Sequence, residues 1–169
     1  MKLLTVFRGQ SKVNHKCTNG DVYDSSATLE KPAQFGPVDI WHSELVNTDS
    51  TIGYKGGKLA KGNYNGIVGY SAKGKRVIKI FIAPDLSKIK NYGDLTAEMM
   101  TLPSEIPNPN HSNMHIVQYV YVHEGYRTSD GSHACLTIYR YPLGTATVSD
   151  CDKLMELLED NETINIKLT

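Results

Sequence analysis

The sequence predicts an α+β protein: about five antiparallel strands with one helix packed against the sheet, and an irregular N-terminal extension. Three observations indicate this class. β-Forming residues are abundant, and ten of the 169 residues are tyrosine. Residues 59–81 contain short apolar runs separated by glycine-containing turns, as hairpins do. Residues 92–102 and 152–160 carry leucine or methionine at helical spacing.

Residues 1–50 are predicted to be the extension. Polar turn formers dominate this segment, and only Leu3–Phe7 and residues 38–41 have β-like composition. Pro32 and Pro37 argue against a helix through its middle. We expect the extension to pack on the main domain through three apolar residues, with the tryptophan as a structural plug: Phe35, Ile40 and Trp41.

Residues 51–169 are predicted to form the main domain. Asp94 is the expected N-cap of the packed helix, and Ser149 or Asp150 that of a second, short helix. The tail Thr163–Leu168 alternates and is compatible with a strand. The other expected strands are residues 51–61, 66–71, 76–82, 116–123 and 134–141, the last two as an antiparallel pair.

Charge and cysteine content restrict the function. Eighteen basic and eighteen acidic residues cancel, so no overall field attracts nucleic acid or an anionic membrane. Cys17, Cys135 and Cys151 show no metal-ligand spacing, which predicts free thiols in a reducing compartment. No apolar stretch is long enough for a membrane span, and we expect a cytoplasmic protein without a bound metal.

The segment 59–81 carries the clearest chemical signal. Its glycines, including Gly62 and Gly66, punctuate a predicted turn between two strands. Lys79 follows within an apolar strand, where an ammonium is costly unless it is paired. A flexible backbone followed by a fixed cation is one way to hold the phosphates of a nucleotide.

The order of motifs over residues 52–160 resembles the N-terminal lobe of eukaryotic-type protein kinases. Residues 61–68 (KGNYNGIV) resemble the glycine-rich loop, and residues 77–80 (VIKI) resemble the strand that carries its lysine. Glu98 resembles the helix glutamate that pairs with that lysine, and Tyr139 resembles the gatekeeper before the hinge. The resemblance implies ATP as the ligand, with contacts from Gly62, Tyr64, Gly66, Val68, Lys79, Tyr139 and Tyr141.

Departures from the family pattern argue against catalysis. Ala60 replaces the first glycine of the loop, and no H-R-D, D-F-G or A-P-E segment follows Tyr141. We therefore expect a truncated, non-catalytic kinase-like protein that regulates or mimics kinases by binding a kinase or a second copy of itself. The alternative is the ATP-binding part of a longer active Ser/Thr kinase, in which Lys79 and Glu98 would be active-site residues.

Other chemistries have weaker signals. Residues 7–10 (FRGQ) and 23–26 (YDSS) resemble segments of ADP-ribosyltransferases, but no E-x-E or Q-x-E pair follows. His111, His115 and His123 are expected in exposed loops without a metal. No Ser/His/Asp order with a nucleophile elbow is present.

Overall fold

The computed structural model of the chain describes residues 1–9, 25–49, 56–125, 134–139 and 148–169. Cys17 and Tyr141 lie outside these ranges, as do residue 10 of the first ADP-ribosyltransferase-like segment, residues 23 and 24 of the second, and part of the predicted strand 51–61. The described elements are β1 (Leu3–Phe7), β2 (Ser25–Lys31), β3 (Val38–Asn47), β4 (Gly62–Tyr70), β5 (Arg76–Phe81), β6 (Thr101–Asn108), β7 (Met114–Gln118), β8 (Tyr121–Gly125), β9 (Leu136–Tyr139), α1 (Asp150–Glu156) and β10 (Thr163–Leu168).

Eight of these strands close into a barrel in the order β1-β10-β4-β5-β8-β9-β3-β2, while β6 and β7 form a separate two-stranded sheet. The barrel is mixed, because β1 pairs with β10 and β8 pairs with β9 in parallel, whereas its other neighbours are antiparallel. Buried and outward-facing side chains alternate along a barrel strand. β10 shows this pattern, because it buries Ile164, Ile166 and Leu168 and directs the residues between them outward.

The predicted sheet of about five antiparallel strands with one packed helix is therefore wrong. The expected irregular extension supplies three barrel strands, β1, β2 and β3. Phe35 does not pack on a domain; it is 96% exposed in the β2–β3 turn. Trp41 is buried, and its Nε1–H donates to the carbonyl oxygen of Asp150 at 3.0 Å, which ties β3 to α1.

The predicted helix over residues 92–102 is also wrong. A 3-10 turn covers Tyr92–Asp94, with Asn91 and Asp94 forming a capping box, and β6 begins at Thr101. Ile89, Leu95 and Met99 pack on the outer face of the barrel, against Ile67 and Phe81. The apolar residues of this segment are therefore spaced to cover the sheet. Over one or two turns this spacing is the same as that of a helix.

The predicted strand 116–123 is divided between two sheets. Tyr119 adopts a positive φ of 55°, which separates β7 from β8. β8 then joins the barrel beside β9 in parallel, not in the predicted antiparallel pair. Apolar strands can pair in parallel or antiparallel with the same residue composition. The sequence pattern of the two strands therefore does not determine which pairing forms.

The C-terminal predictions agree better with the structure. α1 begins after Ser149, whose side chain accepts a hydrogen bond from the Asp152 N–H, while the Asp152 carboxylate accepts one from the Ser149 N–H. The predicted strand Thr163–Leu168 is β10. No helix in the described part of the chain is long and apolar enough to cross a membrane.

Candidate active site

The outer face of the parallel pair β8–β9 carries the strongest chemical signal in the structure. Val122 pairs with Leu136 and His123 with Thr137, so Tyr121 lies beside Cys135 and Gly125 beside Tyr139. Val122, Leu136 and Ile138 belong to the core, and alternation turns the residues between them to the opposite face. That face presents six residues that line one cleft: Tyr121, His123, Gly125, Cys135, Thr137 and Tyr139.

Cys135 lies immediately before β9 in a constrained stretch of backbone. Its side chain is half-buried. The backbone N–H of Tyr121 donates to Sγ at 3.4 Å, and Sγ lies 3.9 Å from the carbonyl oxygen of Tyr119. Ala134 and Tyr119 both have positive φ angles, of 80° and 55°. Strained non-glycine backbone on both sides of a thiol is characteristic of functional sites.

His123 is held in one tautomer by the backbone. Its Nδ1–H donates to the carbonyl oxygen of Glu124 at 2.9 Å, which leaves the lone pair on Nε2. His123 and Cys135 are diagonal neighbours, one strand apart and two residues apart in register. Strand spacing and rise put their Cα atoms about 8 Å apart, a separation that two side chains on the same face can bridge.

The cleft has the size of a small-molecule site. Its volume is about 950 Å³, at the upper end of the range usual for ligand sites. The turn between β4 and β5 contributes the basic residues Lys73 and Lys75, and α1 contributes the acidic residues Asp152 and Glu156. A ligand beside Cys135 therefore meets charges of both signs.

Cys151 also lines the cleft but has a different environment. It is 3% exposed, within the cluster that α1 packs against the barrel. Burial, assisted by the nearby carboxylates of Glu124 and Asp152, raises the pKa of the Cys151 thiol. Because the thiolate is the nucleophile, Cys135 is the better candidate of the two.

The residues of the predicted glycine-rich loop lie in strand β4 and form no loop. Gly66 faces Ile166 and Ile78, where a Cβ atom would approach within 2.6 and 2.7 Å, so its role is close packing. Tyr64 and Val68 point into the core. Gly62 opens the strand with a φ of 155°.

The predicted Lys79–Glu98 pair does not form in the part of the chain that the structure describes. Lys79 lies between two rings, with Nζ 4.9 Å from the Tyr92 centroid and 5.3 Å from the Tyr121 centroid. Partial burial lowers the pKa of Lys79. Glu98 is exposed in a turn. Of the two hinge tyrosines, Tyr139 is buried beside the cleft, and Tyr141 lies outside the described residues.

Arg8 belongs to a buried ionic cluster. Its Nη1 lies 3.2 Å from Glu105 Oε1, and its Nε lies 3.8 Å from Asp49 Oδ1 and donates to Thr48 Oγ1 at 3.0 Å. Lys58 Nζ lies 3.3 Å from the same Asp49 oxygen. Opposite charges lie side by side in the described part of this cluster, which fits a structural role.

The sequence does not reveal this site because its two residues lie twelve positions apart, with His123 on β8 and Cys135 just before β9. His123 is on β8 and not in the exposed loop predicted for it. The available signal was a cysteine preceded by small residues at the start of an apolar strand, with a histidine near the end of the preceding strand. Among the described residues, no group of His, Cys, Asp and Glu side chains has the arrangement of a metal site.

Comparison of the sequence with protein-family models and with curated proteins, and of the fold with solved structures, finds no match.

Proposed function

We propose that this protein is a cysteine-dependent acyl-transfer enzyme, a hydrolase or transferase, with Cys135 as nucleophile and His123 as general base. One observation carries the proposal: parallel pairing of β8 and β9 puts both residues on the same face, in the same cleft. A nucleophile beside a base that a third group orients is the general signature of covalent catalysis. Here the orienting group is the Glu124 carbonyl oxygen.

The chemistry follows from these positions. His123 Nε2 takes the thiol proton, and Sγ of Cys135 attacks the carbonyl carbon of an ester, thioester or amide. The leaving group departs with the proton from the imidazolium, which leaves a thioester on Cys135. Water or an amine then attacks this thioester, assisted again by His123, and the thiol is restored. The Tyr121 N–H, 3.4 Å from Sγ, stabilises the thiolate between these steps.

The test is acylation by phenyl thioacetate, followed by intact-protein mass and peptide mapping. The wild-type protein should gain one acetyl group, at Cys135, and release thiophenol. Cys135→Ala should not react. Cys151→Ala is the matched control, since it removes the other described thiol, and it should acylate like wild type.

His123→Gln separates chemistry from binding. It should slow acylation by at least about 100-fold, the usual contribution of a general base. Wild-type protein that gains no acetyl group on Cys135, or a His123→Gln variant as fast as wild type, would overturn the proposal.

The kinase-related hypotheses stay untested predictions. They comprise kinase regulation through a partner kinase or a second copy, and ATP binding. Both rested on a lobe fold that the barrel replaces. The cytoplasmic location also stays a prediction; a reducing compartment would keep the Cys135 thiol available for the proposed reaction.

A further inference from the structure

Thr137 has a buried hydroxyl with no hydrogen-bond partner among the described residues. The residue is 3% exposed, and its Oγ1 makes no hydrogen bond with any of them. Buried hydroxyls are normally satisfied, because an unpaired one loses its hydration without compensation. Since Thr137 lines the cleft, a bound molecule is the natural source of the missing partner.

The position of Thr137 ties the hydroxyl to the proposed reaction. It is the direct neighbour of His123 across the parallel pair and follows Cys135 by two residues on β9. The methyl group is on the side of Gly125, since a Cβ at Gly125 would lie 2.5 Å from Thr137 Cγ2. Along a strand, alternate residues are about 6.6 Å apart, so Oγ1 can reach a substrate atom a few bonds from the carbonyl that Sγ attacks.

We propose that Thr137 is a specificity residue whose hydroxyl hydrogen-bonds a polar group of the acyl donor, so that the site prefers donors with an amide next to the reacting carbonyl over purely aliphatic ones. This inference rests on the proposed acyl transfer. It assigns Thr137 a contact with the substrate and no part in proton transfer. A hydroxyl left unpaired in the free protein is then paired in the acyl-donor complex.

The test compares two phenyl thioesters of equal chain length, N-acetylglycyl and pentanoyl, by thiophenol release. Wild type should favour the N-acetylglycyl donor in kcat/KM by about tenfold, the effect of one buried hydrogen bond. Thr137→Val keeps the shape and removes the hydroxyl, so it should lose the preference for the N-acetylglycyl donor. Thr137→Ser keeps the hydroxyl and should keep the preference.

Thermal unfolding supplies a second readout that does not depend on turnover. Because the hydroxyl is unpaired in the free protein, Thr137→Val should unfold at the wild-type temperature or above it. A lower melting temperature for Thr137→Val, or an unchanged preference between the donors, would overturn the proposal. Wild-type protein that turns over neither thioester would instead count against the proposed function. The melting temperature of Thr137→Val would still test whether the hydroxyl is unpaired in the free protein.

Discussion

Replacing Gly125 with alanine should force β8 and β9 apart at the candidate site. A Cβ at this position would lie 2.5 Å from Thr137 Cγ2 and 2.5 and 2.7 Å from Cε1 and Cδ1 of Tyr139. Ordinary contacts begin at 3.4 Å, so neighbouring atoms must retreat by about 1 Å, and the Tyr139 ring is fully buried. The φ of Gly125 is not in the left-handed region, so the cost is steric.

Overpacking of this kind costs about 2 kcal/mol. For a domain of this size the melting temperature should fall by roughly 4–8 °C, measured by circular dichroism or differential scanning calorimetry. Cysteine acylation should fall much further, by about 100-fold, because a displacement of about 1 Å between His123 and Cys135 is enough to disrupt proton transfer.

The double variant Gly125→Ala/Thr137→Ser tests the steric origin of the loss. Serine lacks Cγ2, one of the three clashing atoms. The double variant should therefore be more stable than the sum of the two single changes implies, by about 1 kcal/mol. Strict additivity, or a Gly125→Ala melting temperature within about 1 °C of wild type, would refute the reasoning.

Two further predictions concern regions away from the cleft. Arg8→Met should destabilise the protein by about 3 kcal/mol, because it removes a 3%-exposed cation from beside two carboxylates. Lys2→Met removes a 26%-exposed partner of Glu162 and should cost less, about 1 kcal/mol. Losses of equal size for the Arg8 and Lys2 variants in urea unfolding would contradict this prediction. Burial raises the pKa of Tyr64 from 10.0 to about 12, so the unfolded chain ionises first and stability falls as pH rises from about 10 to 12. Tyr64→Phe should make stability fall less steeply between about pH 10 and 12. At neutral pH it should cost about 1 kcal/mol, because the hydrogen bond to Ala60 is lost. A fall of stability as steep as that of the wild type would show that Tyr64 does not cause the pH dependence.

Local signals in the sequence predicted the elements that depend on local chemistry. The Ser149 cap, the alternating tail of β10 and the buried strand β5 are all set by neighbours within a few residues. The barrel was not predictable in the same way. Its closure depends on which strands pair and in which direction, and neither β1–β10 nor β8–β9 has a short connection that would fix this.

The candidate site depends on the same long-range pairing. Cys135 and His123 become neighbours only because β8 and β9 run in parallel with Val122 opposite Leu136. Lys79 lies in an apolar strand, as the sequence predicts. Its predicted partner, Glu98, is wrong. Its ammonium is accommodated by the rings of Tyr92 and Tyr121, which no carboxylate spacing reveals.

The parallel pairing of β1 with β10 has a consequence for synthesis. The barrel is sealed by main-chain hydrogen bonds between its two ends, including Arg8 N–H to Thr169 O at 2.8 Å and Thr169 N–H to Val6 O at 2.9 Å. On the ribosome, β1 and β4 are therefore open edges until the last residues of β10 emerge. Closure depends on contacts of the highest sequence separation in the chain, so we expect slow folding in which the nascent protein relies on chaperones to keep those edges from pairing with other chains.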